Sequence, residues 1–280
     1  MAIHHISKES LPLARLAKAD GHKFDHGHVL VLTGPAGRTG AARLAARGAL
    51  RLGAGLVTLG VPPEAKAEVA AHLTAMMLRP VKDAEDLNEI LTDNRFSALC
   101  LGPALGVEHM HSEIVECALA SHRATVLDAD ALTLLSKSRA LMEALHGTCV
   151  LTPHAGEFAR LFPDLKLVGD VTDAQRVCAA AEQAGCVILL KGARTFVATP
   201  AGDCGLHTAQ GSRAAPWLAT AGAGDVLAGF IAGAFARGFA PALAAEISAW
   251  LHVECALSFG PGLIAEDLPE QLPLVFRQLF

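Results

Sequence analysis

Six short apolar runs, at 28–34, 55–61, 98–103, 124–128, 148–153 and 186–192, are punctuated by Gly, Pro, Asp or His. Their apolarity is continuous rather than alternating, which is the pattern of strands buried on both faces. Helical patterns fill the gaps at 41–52, 64–76, 112–120 and 172–184. Strand–helix alternation of this kind requires a parallel sheet with helices on both faces, joined by right-handed crossovers. The later chain departs from it. Segments 195–199 and 204–208, split by the turn Pro200-Ala201-Gly202-Asp203, read as an antiparallel hairpin. Two long helices, 225–237 and 241–259, are expected to close the chain. The fold expected is therefore α/β: a mainly parallel central sheet, helices on both faces and a small antiparallel hairpin. No composition shift or polar linker interrupts it, so residues 1–280 are expected to form one domain, with 1–19 an N-terminal extension.

Composition removes several classes of function. The 280 residues are 52% apolar and 18% charged, enough for a sizeable core. Mean hydropathy is +0.38, yet no run approaches the roughly 20 apolar residues of a membrane helix. The first ten residues hold His4, His5, Lys8 and Glu9 and no apolar signal region, so a cytoplasmic protein without a membrane partner is expected. Seven cysteines, at 100, 117, 149, 178, 186, 204 and 255, form no Cys-x-x-Cys pair and lie mostly in apolar runs. They read as small hydrophobes rather than zinc ligands or a disulfide framework. A net charge of −5 without a basic stripe, and no Tyr, gives no nucleic-acid signature.

In an open α/β sheet, ligands bind beyond the carboxyl ends of the strands, which directs attention to the residues just past each run. Gly34-Pro35-Ala36-Gly37-Arg38-Thr39-Gly40 lacks the Gly-x-Gly-x-x-Gly spacing, and no acid occurs between Asp25 and Glu64 to hold a ribose. A dinucleotide fingerprint is excluded, and a flexible glycine loop beside Arg38, open to a role as lid or substrate loop, remains. Arg43, Arg47 and Arg51 fall on one helix face, expected to be solvated. Gly102 to Gly106 forms a turn, and one acid of Asp128-Ala129-Asp130 is expected to cap a helix. His154 and Glu157 stand three apart after the fifth run, open to a structural or a functional role. Lys191-Gly192-Ala193-Arg194-Thr195 can offer amides, a hydroxyl and a cation to a nucleotide phosphate; the alternative is an edge lysine reaching water.

The most directive stretch is Leu218-Ala219-Thr220-Ala221-Gly222-Ala223-Gly224-Asp225, followed by an uncharged apolar helix. Glycines allow close approach of a ligand, and the unpaired amides opening a helix suit phosphate. Gly222, Ala223 and Gly224 thus read as an anion hole. Asp225 is expected to be held ionised among those amides and able to take a proton. A phosphate cradle beside a base suggests phosphoryl transfer to a hydroxyl; a capped buried helix is the plain alternative.

Taken in order, the chain resembles the ADP/ATP-dependent NAD(P)H-hydrate dehydratases of the ribokinase-like superfamily. The resemblance rests on GHVLVLTG (27–34), GAARLAARGALRLGAGLVTL (40–59), LGPALG (101–106), VLDADALTLL (126–135), VLTPHAGEF (150–158), LLKGART (189–195), LATAGAGDVLAG (218–229) and GPGLIAEDLPE (260–270). It runs from about residue 20 to the C-terminus. It implies a metabolite-repair lyase that phosphorylates the ring hydroxyl of the S-epimer of NAD(P)H hydrate from ADP or ATP, then eliminates phosphate. By resemblance Asp225 is catalytic, and Ala41, Gly106, His154 and Asp225 contact the hydrate. Lys191, Gly192, Ala193, Arg194, Thr195 and Gly224 match the adenine-nucleotide site. Magnesium is implied with the nucleotide, Glu157 reaching it through water. A homotetramer is implied too, as is pairing with a separate epimerase, since nothing before Asp20 is long enough to be an epimerase domain. The competing expectation is a small-molecule alcohol kinase of the same superfamily, of thiazole or pyrimidine type.

Overall fold

The structure is a computed structural model that describes residues 3–170 and 172–280. Its strands are β1 (Ile3–His5), β2 (His28–Leu32), β3 (Leu56–Val61), β4 (Met77–Pro80), β5 (Phe96–Leu101), β6 (Ala124–Leu127), β7 (Cys149–Leu151), β8 (Val187–Leu190), β9 (Arg194–Ala198) and β10 (Cys204–Thr208). They form one sheet in the order β1-β10-β9-β8-β7-β6-β5-β2-β3-β4, and β9 alone runs against its neighbours. The helices are α1 (Gly40–Leu52), α2 (Lys66–Ala71), α3 (Ala84–Leu91), α4 (His109–Ala120), α5 (Ala129–Lys137) and α6 (Arg139–Glu143). They continue with α7 (Ala155–Leu161), α8 (Asp173–Ala184), α9 (Ala223–Ala236), α10 (Pro241–Phe259) and α11 (Asp267–Leu279).

The mainly parallel sheet and the hairpin are as the sequence implies. Continuous apolarity serves two cores: in β2, Val29 and Val31 join one cluster while Leu30 and Leu32 join the other. The first cluster lies under α1, α9, α10 and α11, and the second under α3, α4, α5, α7 and α8. Between α1 and α9 the packing is backbone on backbone. A Cβ on Gly229 would stand 2.0 Å from the Ala45 carbonyl oxygen, and one on Gly233 2.6 Å from that of Ala49. Only Gly permits this approach, and it seats the start of α9 at the carboxyl edge of the sheet.

Several expectations need correction. The N-terminal extension supplies β1, paired parallel to β10, although residues 1 and 2 lie outside the described residues. β4 was not apparent, because an edge strand ending in Arg79-Pro80 carries no apolar run. The helix expected over 64–76 shrinks to a 3-10 turn, Pro63–Ala65, and α2. A third helix, α11, closes the chain; Pro273 inside it broke the sequence pattern. Arg47 and Arg51 do not simply face solvent, since both reach Glu270 of α11. α10 does have the length and composition to cross a membrane, contrary to the sequence reading, and 61% of its apolar window is buried inside the fold.

Candidate active site

β6 and β8 flank β7, and the residues just past them deliver an acid and a cation to the carboxyl edge of the sheet. Asp128, buried, follows β6 and accepts a 2.6 Å hydrogen bond on Oδ1 from Lys191 Nζ, which follows β8. Lys191 Nζ also lies 3.9 Å from Glu157 Oε2. His154 bridges in parallel to Lys191 past the end of β7 and caps α7. Its Nδ1 accepts from the Gly156 and Glu157 amides at 2.9 and 3.3 Å, so its proton sits on Nε2. Glu157 closes the capping box by accepting from the His154 amide at 2.8 Å.

The glycine-rich turn opens α9 against this cluster. Gly222 is left-handed at φ 91°, a conformation that glycine adopts without strain. The first return bond runs from the Val226 amide to the Gly222 carbonyl at 3.1 Å. The Ala223 amide points at the Thr220 carbonyl, 3.4 Å away, so the three-amide hole read from the sequence is not uniformly open. A Cβ on Gly224 would stand 3.4 Å from Lys191 Nζ and 3.8 Å from Asp128 Oδ2. The next residue is Asp225. Burial first, then the neighbouring Asp128 charge, push its carboxyl up from 3.8 to about 6, with Lys191 opposing and Asp130 adding. Loss of water, rather than the helix amides the sequence pointed to, therefore governs how readily Asp225 takes a proton.

Two cavities flank the cluster. One, of about 470 Å³, is lined by Lys191, Gly192, Ala193, Thr195, Gly224 and His252 among others, and segment 214–219 borders it. Arg194 does not line it; its guanidinium turns to the Gly169 carbonyl. His252 Nε2 donates to the Ala223 carbonyl at 2.9 Å, bracing the first turn of α9 from α10. The other cavity, about 340 Å³, is lined by Arg38, Gly106, Lys82 and His111 among others. The Gly106 amide donates to Asp130 Oδ2 at 2.9 Å, and Arg38 Nη2 lies 3.5 Å from the same oxygen. Glu68 holds the glycine loop beside it, accepting from the Gly37 amide at 2.6 Å and from the Thr39 hydroxyl. Ala41 follows in the first turn of α1 and lines neither cavity.

The structure thus gathers Gly106, His154, Lys191, Gly224 and Asp225 along one edge. Asp128, Asp130, Glu68 and His252 join them without having been assigned to the site. The Asp128–Asp130 pair at the end of a buried run was the available signal; Glu68 and His252 carried none. Among the described residues no group of three or more His, Cys, Asp or Glu could hold a metal ion, and the Glu157 carboxylate is engaged by His154 and Lys191. A magnesium ion does not fit a protein cage here.

A family model of NAD(P)H-hydrate dehydratase matches residues 29–272. The chain is 38% identical over 280 residues to the bifunctional NAD(P)H-hydrate repair enzyme Nnr of Moorella thermoacetica, covering 94% of this chain and 51% of that protein. With Nnr of Gloeobacter violaceus it shares 37% identity over 252 residues, covering 88% and 47%. The chain therefore spans about half the length of these curated relatives. In structure it is similar to the ADP/ATP-dependent NAD(P)H-hydrate dehydratase of Bacillus subtilis co-crystallized with ATP/Mg2+, with a TM-score of 0.81, 27% identity and coverage of 100% of both chains.

Proposed function

The chain belongs to the NAD(P)H-hydrate dehydratase family, and we propose that it restores NAD(P)H from the S-hydrate by ADP- or ATP-dependent dehydration. The observation that carries this is a carboxyl raised to about 6, Asp225, directly behind a glycine turn that walls a cavity of about 470 Å³. In this reading the nucleotide lies along Lys191–Thr195 and Gly224, and the hydrate lies on the Gly106 and His154 side with Ala41 nearby. Asp225 takes the proton of the ring hydroxyl as its oxygen attacks the terminal phosphorus and the bond to the departing nucleotide breaks. The Gly222 and Gly224 amides and the Lys191 ammonium meet the charge on the group in transit. Phosphate is a far better leaving group than hydroxide. The ring nitrogen's electron pair expels it, and loss of a proton from the adjacent carbon restores the ring double bond. Magnesium, carried in on the nucleotide phosphates, would neutralise part of their charge. The hydrate's other epimer would be supplied through an epimerase activity.

The test mixes the purified protein with S-hydrated NADH, magnesium and either nucleotide, and follows absorbance of the reduced ring together with free phosphate. Equal recovery of both is expected. A stable phosphorylated product with no recovered absorbance would mean a kinase instead.

A further inference from the structure

Asp128 occupies the N-cap position of α5, yet its side chain makes no cap bond. Asp128 forgoes that stabilising cap and instead accepts from Lys191 Nζ at 2.6 Å across the sheet edge. Asp128 is 2% exposed, and a carboxylate so buried is costly unless it is paired. That partner is pressed against the α9 turn, since a Cβ on Gly224 would stand 3.4 Å from Nζ and 3.8 Å from Asp128 Oδ2. Lys191 could otherwise swing towards Glu157 Oε2, 3.9 Å away.

We infer that Asp128 is a positioning residue for the transfer step, tethering the Lys191 ammonium against the Gly224 turn and standing as the second carboxylate beside Asp225. This rests on the phosphoryl-transfer reading above. Without the tether the ammonium would not stay where charge develops on the transferring group. The groups facing Asp225 are Cys100 of β5, Asp128 after β6, Asp130 of α5 and Lys191 after β8. His252 of α10 approaches the same turn through the Ala223 carbonyl. Of the charged neighbours, Asp128 acts most strongly on Asp225 and Lys191 opposes it.

Asp128→Asn keeps the volume and removes the charge. It is expected to lower kcat at least tenfold and to leave the nucleotide KM unchanged or reduced, because one negative charge beside the phosphates is gone. The acid limb of the kcat profile should move to lower pH. The Asp225 carboxyl resonance, followed by carbon NMR in the ligand-free protein, should titrate at lower pH in Asp128→Asn. In Lys191→Met, which removes the opposing cation, it should titrate at higher pH. A merely structural residue would lower Tm without these opposite shifts. Unmoved midpoints, or kcat within threefold of wild type in Asp128→Asn, would overturn the inference. Should wild-type protein fail to turn over the hydrate, the proposed function falls, while the NMR midpoints still decide whether Asp128 and Lys191 control Asp225.

Discussion

Asp225→Asn tests the site from two sides, because the proposed base is also a burden on the fold. Its carboxyl is raised from 3.8 to about 6, by burial first and Asp128 second. Raising a pKa by one pH unit corresponds to about 1.4 kcal/mol, so the ionised side chain costs the folded state on the order of 3 kcal/mol. The sign follows from the direction. A raised folded-state pKa means that the native protein holds this proton more tightly than the unfolded chain. The cost is therefore full above pH 6 and fades as pH falls through 6 towards 3.8. Asn stands in for the neutral acid. The substitution should raise the unfolding free energy by about 3 kcal/mol at pH 8 but by only about 0.5 kcal/mol at pH 4. At the higher pH that is a rise in Tm on the order of 5 °C for a chain of this length. Turnover should fall roughly 10²- to 10⁴-fold, the usual worth of a general base. Calorimetry at both pH values and the absorbance assay check the two halves. An unchanged Tm at pH 8, or turnover within a few fold of wild type, would refute the reasoning.

Gly229→Ala would drive a Cβ to 2.0 Å from the Ala45 carbonyl oxygen and should cost about 3 kcal/mol or more in chemical denaturation. Gly40→Ala, whose Cβ would meet nothing within 4 Å, should change stability by less than about 0.5 kcal/mol. Glu68→Gln weakens the latch on the Gly37 amide and Thr39 hydroxyl; it should raise the KM for the hydrate with Tm unchanged, and an unchanged KM would remove the loop from the substrate site. Chelating magnesium should stop turnover while leaving the Tm of nucleotide-free protein unchanged, since no metal cluster exists among the described residues.

The central strands were legible because burial on both faces leaves a one-dimensional mark, an unbroken apolar run. Edge strands leave none: Ile3–His5 and Met77–Pro80 need only one neighbour and carry His, Arg and Pro. Helices with mixed composition, such as Asp267–Leu279 with Pro273 inside, were hidden for a related reason, since packing against α1 rather than propensity holds them. At the site, Gly224-Asp225, His154 and Lys191 could be singled out because each ends a run or opens a helix. Their pairing could not. Asp128 and Lys191 lie 63 residues apart and meet only because β6 and β8 flank β7. Glu68 reaches the glycine loop across 31 residues from a short helix with no local signature.

The raised carboxyl of Asp225 shows which force governs the site. A helix N-terminus stabilises a nearby carboxylate by about 0.3–1 kcal/mol, and by about 2 at best, which is roughly 0.2–0.7 pH unit and about 1.5 at best. Burial and the charge of Asp128 together outweigh that pull and the attraction of Lys191, leaving the carboxyl near 6 rather than below 3.8. A raised carboxyl suits a base. A carboxylate held far below its usual range is fully ionised but a poor proton acceptor. One titrating near 6 is still about nine-tenths ionised at pH 7 and takes a proton more readily. The same acids would repel a nucleotide's phosphates were they unopposed. Lys191 stands against Asp128 and Arg38 against Asp130, whereas Asp225 makes no ion pair among the described residues. With its carboxyl already raised, it accepts a proton readily, as the proposed transfer from a ring hydroxyl requires.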